Sequence, residues 1–205
     1  MKRLACLLLL AAAGWAADGP RLFYSRSFPG STPAYIQVTV EKTGEVEYRE
    51  AVDDDLPLKY KLNDADTAAI FGLAEKLDYF KHPLEAPVKV AFMGTKTFRY
   101  EDGGKQTEVK FNYSQDVTAQ TLLDWFERLA ETAQLRISVE RAAKYDHLGL
   151  MKALLGLEAS LDRARLADAE QFLPLLDRIA ANETYMHTAR ARAAEIAEII
   201  RGPKK

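Results

Sequence analysis

Between residues 21 and 114 apolar positions recur every second residue, and beyond residue 114 they recur every third or fourth. That change of period divides the chain, because period two buries one face of a strand and period 3.6 buries one stripe of a helix. Ile36, Val38 and Val40 alternate with Gln37, Thr39 and Glu41; "EKTGE" supplies a turn at Gly44, and Val46 and Tyr48 resume with Glu45, Glu47 and Arg49 on the wet side. This predicts a hairpin. Val88, Val90 and Phe92, then Phe98 and Tyr100, then Val109, Phe111 and Tyr113 repeat the alternation as inward positions. "EDGGKQ" turns the chain before the last group, since paired glycines accept positive φ without steric cost. The pattern predicts five principal strands, with "RLFYSRS" at residues 21–27 as a candidate sixth.

"NDADTAAIFGLAEKLDYF" interrupts the strands with a helix, taking Asn63 or Asp64 as N-cap and placing Ile70, Leu73, Ala74 and Leu77 at helical spacing. Gly72 weakens it, and Pro83 ends any continuation. Farther on, Leu122, Phe126, Leu129 and Ala133 form the stripe of a helix covering the sheet, and Leu148, Met151, Leu155 and Leu161 predict that helical structure continues or restarts after a short break. Pro174 belongs in the first turn of another helix carrying Leu176 and Ile179, because an interior proline costs about 3 kcal/mol. The last helix is expected to be capped near Asn182, stopped at Gly202-Pro203, and striped by Met186, Ala189, Ala193, Ile196 and Ile200. That stripe predicts packing against the region around Leu173 and Ile179 or the helix from Leu148 to Leu161. The expected fold is α+β: an antiparallel sheet of about five strands with an inserted helix and a covering helix, followed by a C-terminal helical hairpin. Residues 17–134 form the sheet module and 135–205 the helical region.

The first residues change the picture of where the protein works. Lys2 and Arg3 precede an apolar run from Leu4 to Ala13, followed by the small residues Gly14, Ala16 and Ala17. That is the layout of a secretory signal peptide, residues 1–16, with cleavage after Ala16. The run falls short of the roughly 20 apolar residues a membrane span requires. Cys6 precedes most of the run, whereas a lipid-modified cysteine would follow it. Removal of the leader leaves no cysteine, which excludes thiol catalysis, disulfides and thiolate metal sites. A periplasmic or secreted protein is expected. The 28 basic and 30 acidic residues give a net charge of −2, made more acidic by losing Lys2 and Arg3, so a nucleic-acid partner is not expected.

Candidate chemistry adds little. His82, His147 and His187 are the three histidines, and none stands in a metal-ligand spacing. A composite of His147 and His187 oriented by Asp146 is the one histidine arrangement a helix pair would permit. Asp53, Asp54 and Asp55 offer hard oxygen ligands without the alternation and interior glycine of a calcium loop, and read as a solvated turn. Asp64 and Asp66 suit the positive end of a helix dipole. Ser25, Ser27, Ser31 and Ser114 lack a nucleophile-elbow sequence, and "DGGK" joins two strands, unlike a phosphate loop. Asn112-Tyr113-Ser114 and Asn182-Glu183-Thr184 match the glycosylation sequon. Tyr35, Tyr48, Tyr100 and Tyr113 read as half-buried sheet residues, with a ligand surface as the alternative. No catalytic, cofactor-binding or metal-ligating residue is assigned, and no cofactor is expected.

Gly30-Ser31-Thr32-Pro33-Ala34-Tyr35, the alternation after it, Gly44 and Tyr48 resemble a bacterial family of small exported domains of unknown function. That family opens Cys-x-Gly-x-Cys-Pro-x-Tyr, then a strand, a glycine turn and a strand ending in tyrosine. Ser27 and Thr32 stand about where its cysteines would be, and Pro29 reads as inserted. The resemblance spans about Phe23 to Tyr113 in element order and implies a hairpin, helix and strands with no activity attached. Together these features lead to the expectation of a non-enzymatic interaction or binding module of the bacterial cell envelope, meeting an envelope protein, peptide or polymer. The alternatives are an exported carboxylate-based hydrolase assembled from Asp53, Asp54 and Asp55 with a histidine or tyrosine brought in by folding, and a small-ligand or metal-binding protein using the crevice between sheet and helices.

Overall fold

A computed structural model describes residues 19–202, so the expected leader, its cleavage site and Cys6 lie outside the described residues. The fold is α+β, with a six-stranded sheet in the order β4-β3-β2-β1-β5-β6. The strands are β1 (Arg21–Ser27), β2 (Tyr35–Glu41), β3 (Glu45–Arg49), β4 (Leu58–Lys61), β5 (Thr95–Asp102) and β6 (Lys105–Phe111). All neighbours are antiparallel. The candidate sixth strand, β1, is therefore central. It runs between β2 and β5, with Tyr24 opposite Val38 on one side and Phe98 on the other. Gly44 turns β2 into β3 at φ +86, where a Cβ would stand 2.9 Å from the Leu62 carbonyl oxygen, so a side chain is excluded twice over. Gly103 and Gly104 both take positive φ between β5 and β6, as their pairing predicts.

Two strand expectations need correction. Residues 88–92 form no strand, and Val88, Val90 and Phe92 are exposed, not inward. Pro83 and Pro87 remove amide donors on the approach. The segment's hydrogen bonds go instead to one residue pair past the end of β6: the Ala86 amide donates to the Tyr113 carbonyl at 2.8 Å, and the Asn112 side-chain oxygen accepts from the Met93 amide at 2.7 Å. The strand that was not anticipated is β4, whose Leu58 and Tyr60 alternate with Lys59 and Lys61 and pair with β3.

One face of the sheet is covered by α1 (Asp64–Lys76) and the first half of α2 (Val117–Tyr145). Asn63 caps α1 by accepting from the Asp66 amide at 2.8 Å. After α1, Asp78, Tyr79 and Phe80 all adopt left-handed φ, a strained turn that drives Phe80 against Phe98 at 5.2 Å and Tyr79 against Tyr100 at 4.3 Å. The aromatic contacts offset that strain. On α2, Leu122, Phe126, Leu129 and Ala133 are buried as their spacing predicts, and Phe126 stacks on Tyr24 at 5.1 Å.

The second half of α2 joins a second core with α3 (Leu150–Asp162), α4 (Leu173–Ala181) and α5 (His187–Arg201). Because α2 runs unbroken through residue 135, the two cores share one helix. In α3 the expected stripe is out of phase: Leu148 and Leu155 are exposed, while Leu150, Leu154 and Leu157 are buried against α2 and α5. Pro174 occupies the first turn of α4, as expected. Asn182 does not cap the last helix; it ends α4 and accepts from the Thr184 amide at 3.0 Å, and α5 starts five residues later. The α5 stripe is buried at Ala189, Ala193 and Ile196, half-buried at Ile200 and exposed at Met186, and Ala197 joins the buried face. α5 packs on both α4 and α3, the two partners its stripe predicts.

Candidate binding seam between the sheet and α2

The inward positions of the two central strands are apolar until one register row. Leu22 pairs with Tyr100 and Tyr24 with Phe98, and then Arg26 stands directly opposite Lys96. Like charges opposed across two strands are destabilising, so the row is costly unless something compensates it. Glu127 brings an opposite charge near this row without pairing to it: it lies on α2 one residue past the buried Phe126, at the edge of the helix that faces this end of the sheet.

The four polar groups are held very differently. Lys96 is 6% exposed, and its ammonium donates to the Asn112 carbonyl at 2.7 Å and the Met93 carbonyl at 3.4 Å. Burial lowers its pKa below the ordinary lysine value, with Glu127 opposing that shift and Arg26 adding to it. Arg26 and Glu127, among the described residues, make no hydrogen bond or ion pair, although both line the same cleft. Tyr24 is fully buried, and its hydroxyl is the only buried hydroxyl among the described residues with no partner. Burial first, then the charge of Glu127, pushes that hydroxyl's pKa well above the usual tyrosine range, and Arg26 works in the opposite direction. A buried hydroxyl left unpaired costs roughly 1–3 kcal/mol, so this cluster is not arranged for stability alone.

Neighbouring polar groups are already committed. Glu131 accepts from Ser160 at 2.8 Å and from Arg165 at 3.2 Å, while Arg165 also reaches Asp124 at 2.5 Å. The Tyr48 hydroxyl accepts from Gln134 at 2.8 Å and donates to Glu50 at 3.1 Å. Two clefts of about 270 Å³ each flank Glu127. One is lined by Arg26, Ile36, Ala130 and Gln134, the other by Met93, Lys96, Phe111, Tyr113 and Leu123. The first is polar and the second mostly apolar. The outer face of the sheet is also charged, but its groups are matched: Arg21 pairs with Glu101, Arg99 with Glu101 and Glu108, and Lys59 with Glu47.

The residues singled out from the sequence are scattered. His82 is exposed beside Asp78 at 3.4 Å. His147 packs edge-on against Tyr185 at 4.9 Å, His187 opens α5 in solvent, and the Asp146 carboxylate accepts from the Gly149 amide, so it orients neither imidazole. Asp54 folds its own turn by accepting from the Leu56 amide at 3.0 Å, and Asp53 and Asp55 are exposed beside it. Asp64 and Asp66 occupy the first turn of α1. Ser31 donates to the Phe28 and Pro33 carbonyls, Ser114 accepts from the Asp116 amide, and Ser25 and Ser27 lie on β1. Asn112 holds Met93 and Ala91 with its amide group. Tyr35 bonds Gln37 on the outer face, Tyr48 and Tyr100 point inward at different rows, and Tyr113 reaches the apolar cleft, so the four share no surface. Tyr24, Arg26, Lys96 and Glu127 were missed. Their signal was present as two charges at apolar-phase positions of strands whose register only the fold reveals.

Among the described residues no group of three or more His, Cys, Asp or Glu side chains is placed to hold a metal ion, and no helix is long and apolar enough to cross a membrane. No protein-family model and no curated protein matches the chain.

Proposed function

We propose that this chain is a non-enzymatic binding module of the bacterial cell envelope, exported by its N-terminal leader and taking its ligand at the seam between the sheet and α2. One observation carries this reading. Arg26 and Glu127, opposite in charge and without a hydrogen bond or ion pair among the described residues, line one cleft, and the fully buried Tyr24 hydroxyl that feels both charges has no partner. Native structures keep buried polar groups paired, and exceptions concentrate where another molecule completes the set. The likeness of the Gly30 to Tyr48 stretch to small exported domains points the same way on location. A carboxylate hydrolase would need paired acids in a pocket, whereas Asp54 is engaged in its own turn.

Thermal unfolding of the mature protein against a panel of envelope metabolites, short peptides and divalent cations tests the reading, because a ligand that binds only the native state raises the midpoint. A shift that disappears in Arg26→Met supports binding at the seam. Shifts that survive Arg26→Met place binding elsewhere and refute it. Mass measurement of the protein from a periplasmic extract checks export: a chain beginning near Ala17 is expected, and a chain retaining Met1 contradicts it.

A further inference from the structure

We propose that the ligand of this seam is a small zwitterion, an α-amino acid with an apolar side chain. The proposal rests on the binding-module reading and specifies its chemistry. Arg26 offers a guanidinium fork with no partner among the described residues, the geometry that grips a carboxylate through two parallel hydrogen bonds. Tyr24, fully buried and lining neither cleft, does not itself reach the ligand, but its unpartnered hydroxyl lies within the fields of Arg26 and Glu127. Lys96, anchored on two backbone carbonyls, adds a fixed positive charge on the same row. These groups favour an anion.

Glu127 decides which kind of anion. Glu127 lines both clefts, so its negative charge repels a phosphate dianion strongly and penalises even a simple carboxylate. A ligand that also carries an ammonium turns this repulsion into attraction and satisfies both unspent charges at once. Arg26 and Glu127 line one cleft without pairing with each other, which leaves space for the α-carbon of such a ligand between them. The apolar cleft on the other side of Glu127, with Met93, Phe111 and Leu123, then receives the side chain. Its volume of about 270 Å³ suits an aliphatic side chain, not a large cofactor.

Calorimetric titration of the full mature protein with L-leucine, 4-methylpentanoate and 3-methylbutan-1-amine separates the contributions, since the last two lack the ammonium and the carboxylate respectively. Leucine is expected to bind at least roughly tenfold more tightly than either. Arg26→Met is expected to weaken leucine by a similar factor, while Arg26→Lys retains part of it. Glu127→Gln is expected to weaken leucine and strengthen 4-methylpentanoate, a reversal of preference that a merely structural glutamate would not produce. Circular dichroism and the unfolding midpoint verify that each variant is folded. Equal affinity for leucine and 4-methylpentanoate overturns the zwitterion while leaving an acid-binding module in place. Should none of the three bind, the zwitterion is overturned, and chemical crosslinking in the cell envelope decides the broader reading: a partner captured by wild type and lost in Arg26→Met sustains it, and no such partner refutes it.

Discussion

The two cores on either side of α2 are built from different materials. Against the sheet, rings dominate: Tyr24, Tyr48, Phe98 and Phe126 are fully buried, with Tyr24, Phe98 and Phe126 in mutual contact at 5.1–5.8 Å. Among the helices, Ala189, Ala193 and Ala197 let α5 approach Leu150, Leu154 and Ile179 closely, and the buried polar Ser160 of α3 is committed to Glu131. The one tyrosine packed on this alanine-and-leucine core among the described residues, Tyr185, already spends its hydroxyl on the Ala143 carbonyl at 2.9 Å. The tyrosine-rich core under its edge of charged residues differs: there the Tyr24 hydroxyl is buried without a partner among the described residues, and Arg26 and Glu127 line one cleft without pairing. The difference separates a structural half from a half that carries the seam.

The strongest way to break that comparison is Ile196→Asp. Ile196 is fully buried on α5, and its burial is worth about 1.5–3 kcal/mol, to which the variant adds a charge stranded among apolar groups. A large fall in the unfolding midpoint is expected. Because α2 serves both cores, the fluorescence of Trp125, which packs against the sheet core, is expected to change together with helical circular dichroism. Loss of helical signal while Trp125 reports an intact sheet would show that the halves fold independently. An unchanged monomer midpoint with lost self-association would instead make the α5 stripe an external interface.

Smaller changes sharpen the contrast. Ala193→Leu overfills the close contact of α5 and is expected to cost about 1–3 kcal/mol by chemical denaturation, whereas Val109→Leu at the half-buried sheet rim stays within about 0.5 kcal/mol. Inside the sheet core the tyrosines divide. Tyr60 donates to the Leu129 carbonyl at 3.1 Å, so Tyr60→Phe is expected to cost about 1 kcal/mol, while Tyr24→Phe removes an unpartnered hydroxyl at no loss or with a gain. Equal losses at the two sites would mean that Tyr24 has a hidden structural partner.

The least effect is expected on the outer face. Burial raises the Glu47 pKa, but hydrogen bonds from Arg49 and Lys59 outweigh it and hold the carboxyl below its ordinary 4.5. A depressed acid contributes stability that is complete above its unfolded value and disappears as pH falls through the folded one. Glu47→Gln should therefore be slightly less stable than wild type at neutral pH, with the gap closing below pH 4.5. A gap that widens on acidification would contradict the pairing.

The layers of this fold were legible because periodicity reports burial directly. β2, β3, the stripe of α2 and the turn at Gly44 all lie where alternation places them. Residues 88–92 alternate just as well and form no strand, because alternation states a capacity to pair and not the presence of a partner; here Asn112 and Tyr113 take the hydrogen bonds. The Leu148 to Leu161 stripe failed for a related reason. Several leucines stand at helical spacing in two phases, and only contact with α2 and α5 selects Leu150, Leu154 and Leu157. The seam was harder still to read. Arg26 and Lys96 are seventy residues apart in sequence and become neighbours only through the β1–β5 register. Histidines and clustered aspartates, by contrast, display their chemistry in one dimension.

The central claim is that Arg26 is held on the inward face for a ligand and not for the fold. The most direct measurement is the unfolding free energy of Arg26→Leu beside wild type in ligand-free buffer. Leucine there adds apolar contact with Ile36 and Ala130 and relieves the repulsion across the row from Lys96. Stability equal to or above that of wild type is expected. A loss greater than about 1 kcal/mol, the worth of a structural hydrogen bond, would make Arg26 part of the scaffold and contradict the claim.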